Sequence, residues 1–84
     1  MDEKPRDAVS MVETIVTSLV DEPDQVEIVS KFEENAVLIE INVAATDISK
    51  IIGSNGRVIK AIRTLARSVA LINNISRIDV EIVS

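Results

Sequence analysis

The chain has 84 residues, 46% of them hydrophobic and 27% charged, and a formal net charge of -5. A chain this short holds one small core and no separate cofactor and substrate domains, and its composition is that of a soluble globular domain. Cysteine and histidine are both absent, which removes disulfides, thiolate or imidazole zinc sites, cysteine nucleophiles and imidazole-based triads.

From Asp7 to Val20 the residues Ala8, Val9, Val12, Ile15, Val16 and Leu19 share one face, opposite Ser10, Thr14, Thr17 and Ser18. This spacing predicts an amphipathic helix, stopped by Asp21-Glu22-Pro23. Residues 1–6 before it are expected to fray, with residues 1–84 otherwise one domain. Val26, Ile28 and Ser30 alternate with Glu27 and Val29 as a short strand, and Lys31 to Asn35 reads as a polar turn around Phe32. In a second strand Val37, Ile39, Ile41 and Val43 point one way, Leu38, Glu40 and Asn42 the other. Thr46 is placed to cap a short helix that begins at Asp47 and runs to Ile52 before Gly53.

Beyond Gly56 a longer helix is predicted from Arg57 to about Ile72. Val58, Ile62, Leu65, Val69 and Ile72 form its apolar stripe, with Lys60, Arg63 and Arg67 on the far side. Asn73-Asn74 is a turn, and Ile78, Val80 and Ile82 alternate with Arg77, Asp79 and Glu81 in a last strand. The order is helix, strand, strand, helix, helix, strand. A short link makes the first two strands a hairpin, and a two-helix crossover makes the second and third parallel. The expected fold is therefore a two-layer α+β domain, a mixed three-stranded sheet with helices on one face and Glu27, Glu40, Asp79 and Glu81 on the other.

Charge is segregated along this order. Residues 1–47 hold twelve acids against Lys4, Arg6 and Lys31, whereas residues 48–78 hold Lys50, Arg57, Lys60, Arg63, Arg67 and Arg77 with no acid. An acidic chain with one basic segment has the pattern of a local anion site. Inside that segment lie both glycines, Gly53 and Gly56, flanking Ser54 and Asn55 between two predicted helices. Missing side chains let a ligand approach backbone, and the amides of Ser54, Asn55 and Gly56 would face a phosphate at a helix N-terminus. Arg57, a cation in the first helical turn, opposes the helix dipole by roughly 0.3–1 kcal/mol, which points to a functional placement.

The segment Ile51-Ile52-Gly53-Ser54-Asn55-Gly56-Arg57-Val58-Ile59 resembles the KH-domain signature I-G-x-x-G-x-x-I, and the element order is similar to the prokaryotic type II variant. The resemblance covers the chain nearly end to end and extends to the small bacterial RNA-binding members of that family. It implies a G-x-x-G loop that clamps the backbone of a single strand, about four nucleotides, against a groove. The clamp here would be Gly53, Ser54, Asn55 and Gly56, with Lys50, Arg57, Lys60 and Arg63 supplying charge and Ile52 and Ile59 lining the groove or meeting a partner. It further implies a cytoplasmic post-transcriptional regulator or RNA chaperone, without cofactor or metal. Such a protein pairs with itself or with a second KH protein of the Jag type. Val29, Leu38 and Ile59 are candidate exposed apolar positions for such pairing.

The alternative is an interaction or dimerisation module with weak or no RNA binding, which the uncharged Ser54-Asn55 pair and the acidic total favour. An enzyme is not expected: no Walker pattern is present and no nucleophile has an imidazole partner. A membrane protein is not expected either, since no apolar run approaches about 18 residues and Met1 is followed by Asp2 and Glu3, unlike a secretory signal.

Overall fold

Alternation of aliphatic residues along Ala36–Asn42 makes a strand, and a strand with one buried face needs neighbours on both edges and a layer above it. The computed structural model, which describes residues 4–83, supplies both. Its elements are α1 (Lys4–Leu19), β1 (Glu27–Glu33), β2 (Ala36–Asn42), α2 (Ile48–Ile52), α3 (Arg57–Ile72) and β3 (Arg77–Ile82). Single 3-10 turns lie at Pro23–Gln25, Ala45–Asp47 and Ser54–Gly56. β2 is central, antiparallel to β1 and parallel to β3, so the hairpin and crossover pairing follow the sequence expectation. The α+β class and element order are those of a KH fold.

Two boundaries differ from expectation. Helix α1 starts at Lys4 rather than Asp7, and residues 1–3 of the segment expected to fray lie outside the described residues. The polar turn placed at Lys31 to Asn35 is mostly strand: Lys31 pairs with Leu38, Phe32 with Val37 and Glu33 with Ala36. Only Glu34 and Asn35 form the bend, with Glu34 at φ 45°. Pairing outweighs the local polarity because Phe32 continues the inner row of β1 and Lys31 reaches Glu40 across the outer face at 3.7 Å.

The core lies between the inner sheet face and the helices. Val37, Ile39 and Ile41 of β2, Ile78 and Val80 of β3, and Ala8, Val12 and Val16 of α1 are all buried. Ile51 of α2 joins them. On α3 the buried residues are Ile59, Ile62, Ala66 and Ala70, while Leu65 and Ile72 of the expected stripe stay exposed. The inward face is thus rotated toward the alanines, whose small side chains let the helix lie close to the sheet and to α1. Helix α3 ends with Asn74 at φ 61° and an Ile75 N–H bond to the Ala70 carbonyl at 2.8 Å, a Schellman-type closure that buries Ile75.

Asp47 does not open α2 as expected, and Thr46 does not cap it. Thr46 Oγ1 donates instead to Glu22 Oε2 at 3.4 Å. The Asp47 side chain is fully buried and accepts the backbone N–H groups of Asp21 and Glu22, each at 3.1 Å, with Lys50 Nζ 3.3 Å away. These bonds tie the end of α1 to the start of α2. They also hold the carboxyl below the usual carboxylate range, the Asp21 amide being the largest cause, against the opposing effect of burial.

A folded-state pKa below the unfolded value near 3.9 gives stability that is complete above that value and lost as pH falls through the folded one. Asp47→Asn keeps the shape but turns an amino group toward one of the two amide donors. We expect this variant to melt below the parent at neutral pH and the gap to close as pH falls below the ordinary carboxylate range. Circular-dichroism melts across that range check it.

Candidate nucleic-acid interface

The turn between α2 and α3 is built by backbone that only certain residues accept. Gly53 sits at φ 77° and ψ 173°, a region essentially restricted to glycine. A Cβ there would also lie 2.8 Å from the Val58 nitrogen and overlap the Val58 side chain. Asn55 (φ 56°) and Gly56 (φ 74°) follow in the left-handed region, so the chain reverses within three residues and enters α3 at Arg57. Around Gly56 the space is open, a Cβ meeting nothing nearer than Lys60 Cε at 3.9 Å. Gly53 is therefore demanded by packing and φ together, Gly56 by φ alone.

Of the three amides expected to face outward, that of Gly56 is used, donating to the Gly53 carbonyl at 3.1 Å. Those of Ser54 and Asn55 donate to no described residue, and both residues are exposed at the tip. The candidate cations divide into two groups. Arg57 and Lys60 are exposed beside the tip and make no ion pair with a described residue. Lys50 instead bridges Asp21 at 3.2 Å and Asp47 at 3.3 Å, and these bonds, Asp21 first, hold its ammonium above the usual lysine range. Arg63 is half-buried and donates from Nε to the Val80 carbonyl at 3.0 Å. Neither is a free surface charge.

The two apolar candidates also part. Ile52 is 40% exposed next to the loop, whereas Ile59 is core at 6% and lines no groove. Ile59 points inward because the face of α3 turned to the sheet runs through Ile59, Ile62 and Ala66. The expected exposed positions Val29 and Leu38 are half-buried, and the largest exposed apolar side chains of α3 are Leu65, Leu71 and Ile72.

Along the free edge of β3 a cleft separates that strand from α3. One part is lined by Arg63, Arg67, Asp79, Val80 and Glu81. A second, toward the end of α3, is lined by Arg67, Leu71, Arg77, Ile78 and Asp79 among others. Arg67 therefore lines this cleft beside Arg63, although sequence reasoning put it only on a cationic face. Asp79 and Glu81 stand on the outer sheet face as expected, beside Lys31, Glu33 and Leu38, and border the cleft only at the strand edge. The signal was present in the topology: a strand that returns parallel to β2 through a crossover has no other described strand on its far side.

The loop geometry sets a stability order. Gly53→Ala should cost roughly 2–4 kcal/mol from strain and overlap, Gly56→Ala about 1–2 kcal/mol, and Gly56→Asn less, since asparagine enters the left-handed region readily. Urea unfolding of the three variants checks the order.

Comparison with known proteins agrees with this geometry. The family model described as the KhpA/KhpB KH domain matches residues 9–82. A protein of Clostridium acetobutylicum named RNA-binding protein KhpA is 42% identical over 73 residues, 87% of this chain and 96% of that one. One of the same name from Chlamydia pneumoniae is 48% identical over 68 residues, 81% of this chain and 86% of the relative. No solved structure matches significantly. With the match spanning the described sheet and helices, the chain belongs to the KhpA/KhpB family of KH domains.

Proposed function

We propose that this chain binds single-stranded RNA by clamping its backbone at the loop Gly53-Ser54-Asn55-Gly56. The observation that carries the reading is the loop tip itself. Two donor-bearing amides stand exposed there beside a glycine with open space around it. Arg57 and Lys60 lie adjacent, on a helix with no acidic residue. A phosphate at the tip meets N–H donors and two unpaired cations at once. The relatives' name, RNA-binding protein, supports the same reading.

In this reading the residues have distinct tasks. Gly53 sets the turn, and Ser54, Asn55 and Gly56 present backbone. Arg57 and Lys60 hold phosphates, and Ile52 offers an apolar surface to the first base. Lys50 and Arg63 act through position, the first by fixing the start of α2 and the second by setting the distance between α3 and β3. The cellular role is post-transcriptional regulation or RNA chaperoning in the cytoplasm. No described helix is long and apolar enough to cross a membrane.

A second property follows from α3. Leu65 is 48% exposed and Ile72 79%, and seven residues apart they share one flank. Such a flank on so small a domain favours pairing with a second copy or with a Jag-type KH protein. Sedimentation of the parent at high micromolar concentration is expected to show dimer, and Leu65→Lys with Ile72→Lys to show monomer of unchanged fold.

The double change Ser54→Asp and Asn55→Asp tests the clamp. Two carboxylates within about 6 Å of a bound phosphate should lower affinity at least about tenfold. Melting should stay near the parent's, because the tip is exposed and acids at a helix start are mildly stabilising. Fluorescence anisotropy with a labelled RNA decides it: parent-like melting together with parent-like affinity removes the clamp.

A further inference from the structure

We propose that Asn55-Gly56 is a site of spontaneous deamidation, and that the clamp loses affinity as this site is converted; the loss of affinity rests on the RNA-binding reading above, the chemistry does not. Asparagine loses its amide when its carboxamide is approachable, the next backbone nitrogen can reach it, and the next residue is too small to block the ring. Asn55 stands at the exposed tip, and its side chain makes no hydrogen bond with a described residue. Around Gly56 a Cβ would meet nothing nearer than Lys60 Cε at 3.9 Å. Asn55 alone precedes a glycine, whereas Asn35, Asn42, Asn73 and Asn74 precede Ala36, Val43, Asn74 and Ile75.

The reaction is a ring closure followed by hydrolysis, with water as the only co-reactant. The Gly56 amide gives its proton to hydroxide, and its nitrogen attacks Asn55 Cγ. The N–Cγ bond forms, the Cγ–Nδ2 bond breaks, and ammonia leaves with a proton from solvent. Water then opens the cyclic imide at Cγ, giving aspartate, or at the main-chain carbonyl carbon, giving isoaspartate. Either product carries a carboxylate where a neutral amide stood. The attacking nitrogen and the tetrahedral oxygen are anionic, and Arg57 and Lys60, exposed and in no ion pair with a described residue, stabilise that charge.

Ring closure requires the Asn55–Gly56 peptide to turn, because ψ 28° at Asn55 keeps the Gly56 nitrogen away from Cγ. Little opposes that turn. The Gly56 N–H makes one bond, to the Gly53 carbonyl at 3.1 Å, and glycine accepts the new φ that rotation gives it. Asn74 is the contrast within the chain. It too is exposed and left-handed, at φ 61°, but Ile75 after it is buried and its N–H is bonded to the Ala70 carbonyl at 2.8 Å. The same asparagine conformation is therefore followed by a locked nitrogen at the end of α3 and by a releasable one in the loop. Aspartate at position 55 keeps the left-handed turn and puts a negative charge at the tip. Isoaspartate routes the backbone through Cβ, and so also displaces the amides held between Gly53 and Gly56.

The test incubates the full chain in warm, mildly alkaline buffer and follows each asparagine by peptide mass spectrometry, with labelled-RNA anisotropy on fresh and aged samples. Asn55 is expected to be converted first, to a mixture of aspartate and isoaspartate, while Asn74 is still intact. Asn55→Asp, which reproduces one product alone, should melt like the fresh parent and bind about three- to tenfold more weakly. The aged parent should lose at least as much. Asn55→Gly, whatever its own starting affinity, should hold that affinity through the same incubation. Conversion of Asn55 no faster than that of Asn74 overturns the proposal. A converted parent that binds as tightly as the fresh one overturns the loss of affinity and leaves the RNA-binding reading standing. A fresh parent that binds no RNA while Asn55 is still converted first overturns that reading, and the loss of affinity with it, and supports the modification site.

Discussion

No side chain fits at Gly53, and the arrangement of α2, the loop and α3 depends on that. Helix α2 closes with the Gly53 N–H on the Ser49 carbonyl at 2.9 Å, and the Val58 nitrogen of the next helix comes so close that a Cβ would stand 2.8 Å from it. Two helices can follow each other this tightly only if the residue between them has neither Cβ nor a preference against φ 77°. The short approach carries Ile51 and Ile62 into one core and leaves Ser54 and Asn55 outside it. A loop without a side chain at its hinge thus has two exposed amides held by rigid elements on both sides, which is what a backbone-reading site needs.

The opposite end of α2 is held by a different interaction. Asp47 is a buried carboxylate whose oxygens take up two main-chain N–H groups from the end of α1, with Lys50 compensating the charge. A buried charge is tolerable only with such full pairing. The consequence is that Lys50, the cation nearest in sequence to the loop on its N-terminal side, is held by two carboxylates and contributes through the position of α2. Anchored at Asp47 and turned at Gly53, a helix of five residues, too short to be stable alone, keeps a defined place.

How much of this was legible in the sequence depends on whether one residue or a partner decided each feature. Period-two alternation identified β2 and β3 and their inner faces, because each such residue reports its own side. The glycine pair and its context identified the loop, because left-handed backbone has few substitutes for glycine. The inward face of α3 was legible in part: of the stripe Val58, Ile62, Leu65, Val69 and Ile72, Ile62 is buried and Val58 and Val69 pack against the core, whereas close packing selected Ala66 and Ala70 and left Leu65 and Ile72 outside. Lys50 and Arg63 were read as free charges for a related reason. Their partners, Asp47 with Asp21 and the Val80 carbonyl, are brought in by tertiary structure, and a charge pattern along the chain records sign without proximity.

Net charge is the remaining apparent obstacle to an anionic ligand, and distance resolves it. The molecule extends 35 Å along its longest axis, and the sixteen residues of α3 alone span about 24 Å. The carboxylates Glu33 and Glu34 sit at the hairpin whose Asn35 carbonyl accepts the Ser76 N–H, beyond the C-terminal end of α3, while the loop sits at its N-terminal end. Physiological salt screens exposed charges over about 8 Å, so those acids act on the loop through several screening lengths. Asp21 and Asp47, which are nearer, already share Lys50. A ligand phosphate at the tip would therefore experience Arg57, Lys60 and two amides, and the overall charge of -5 would govern the rate of long-range encounter at low salt more than the strength of the contact once made.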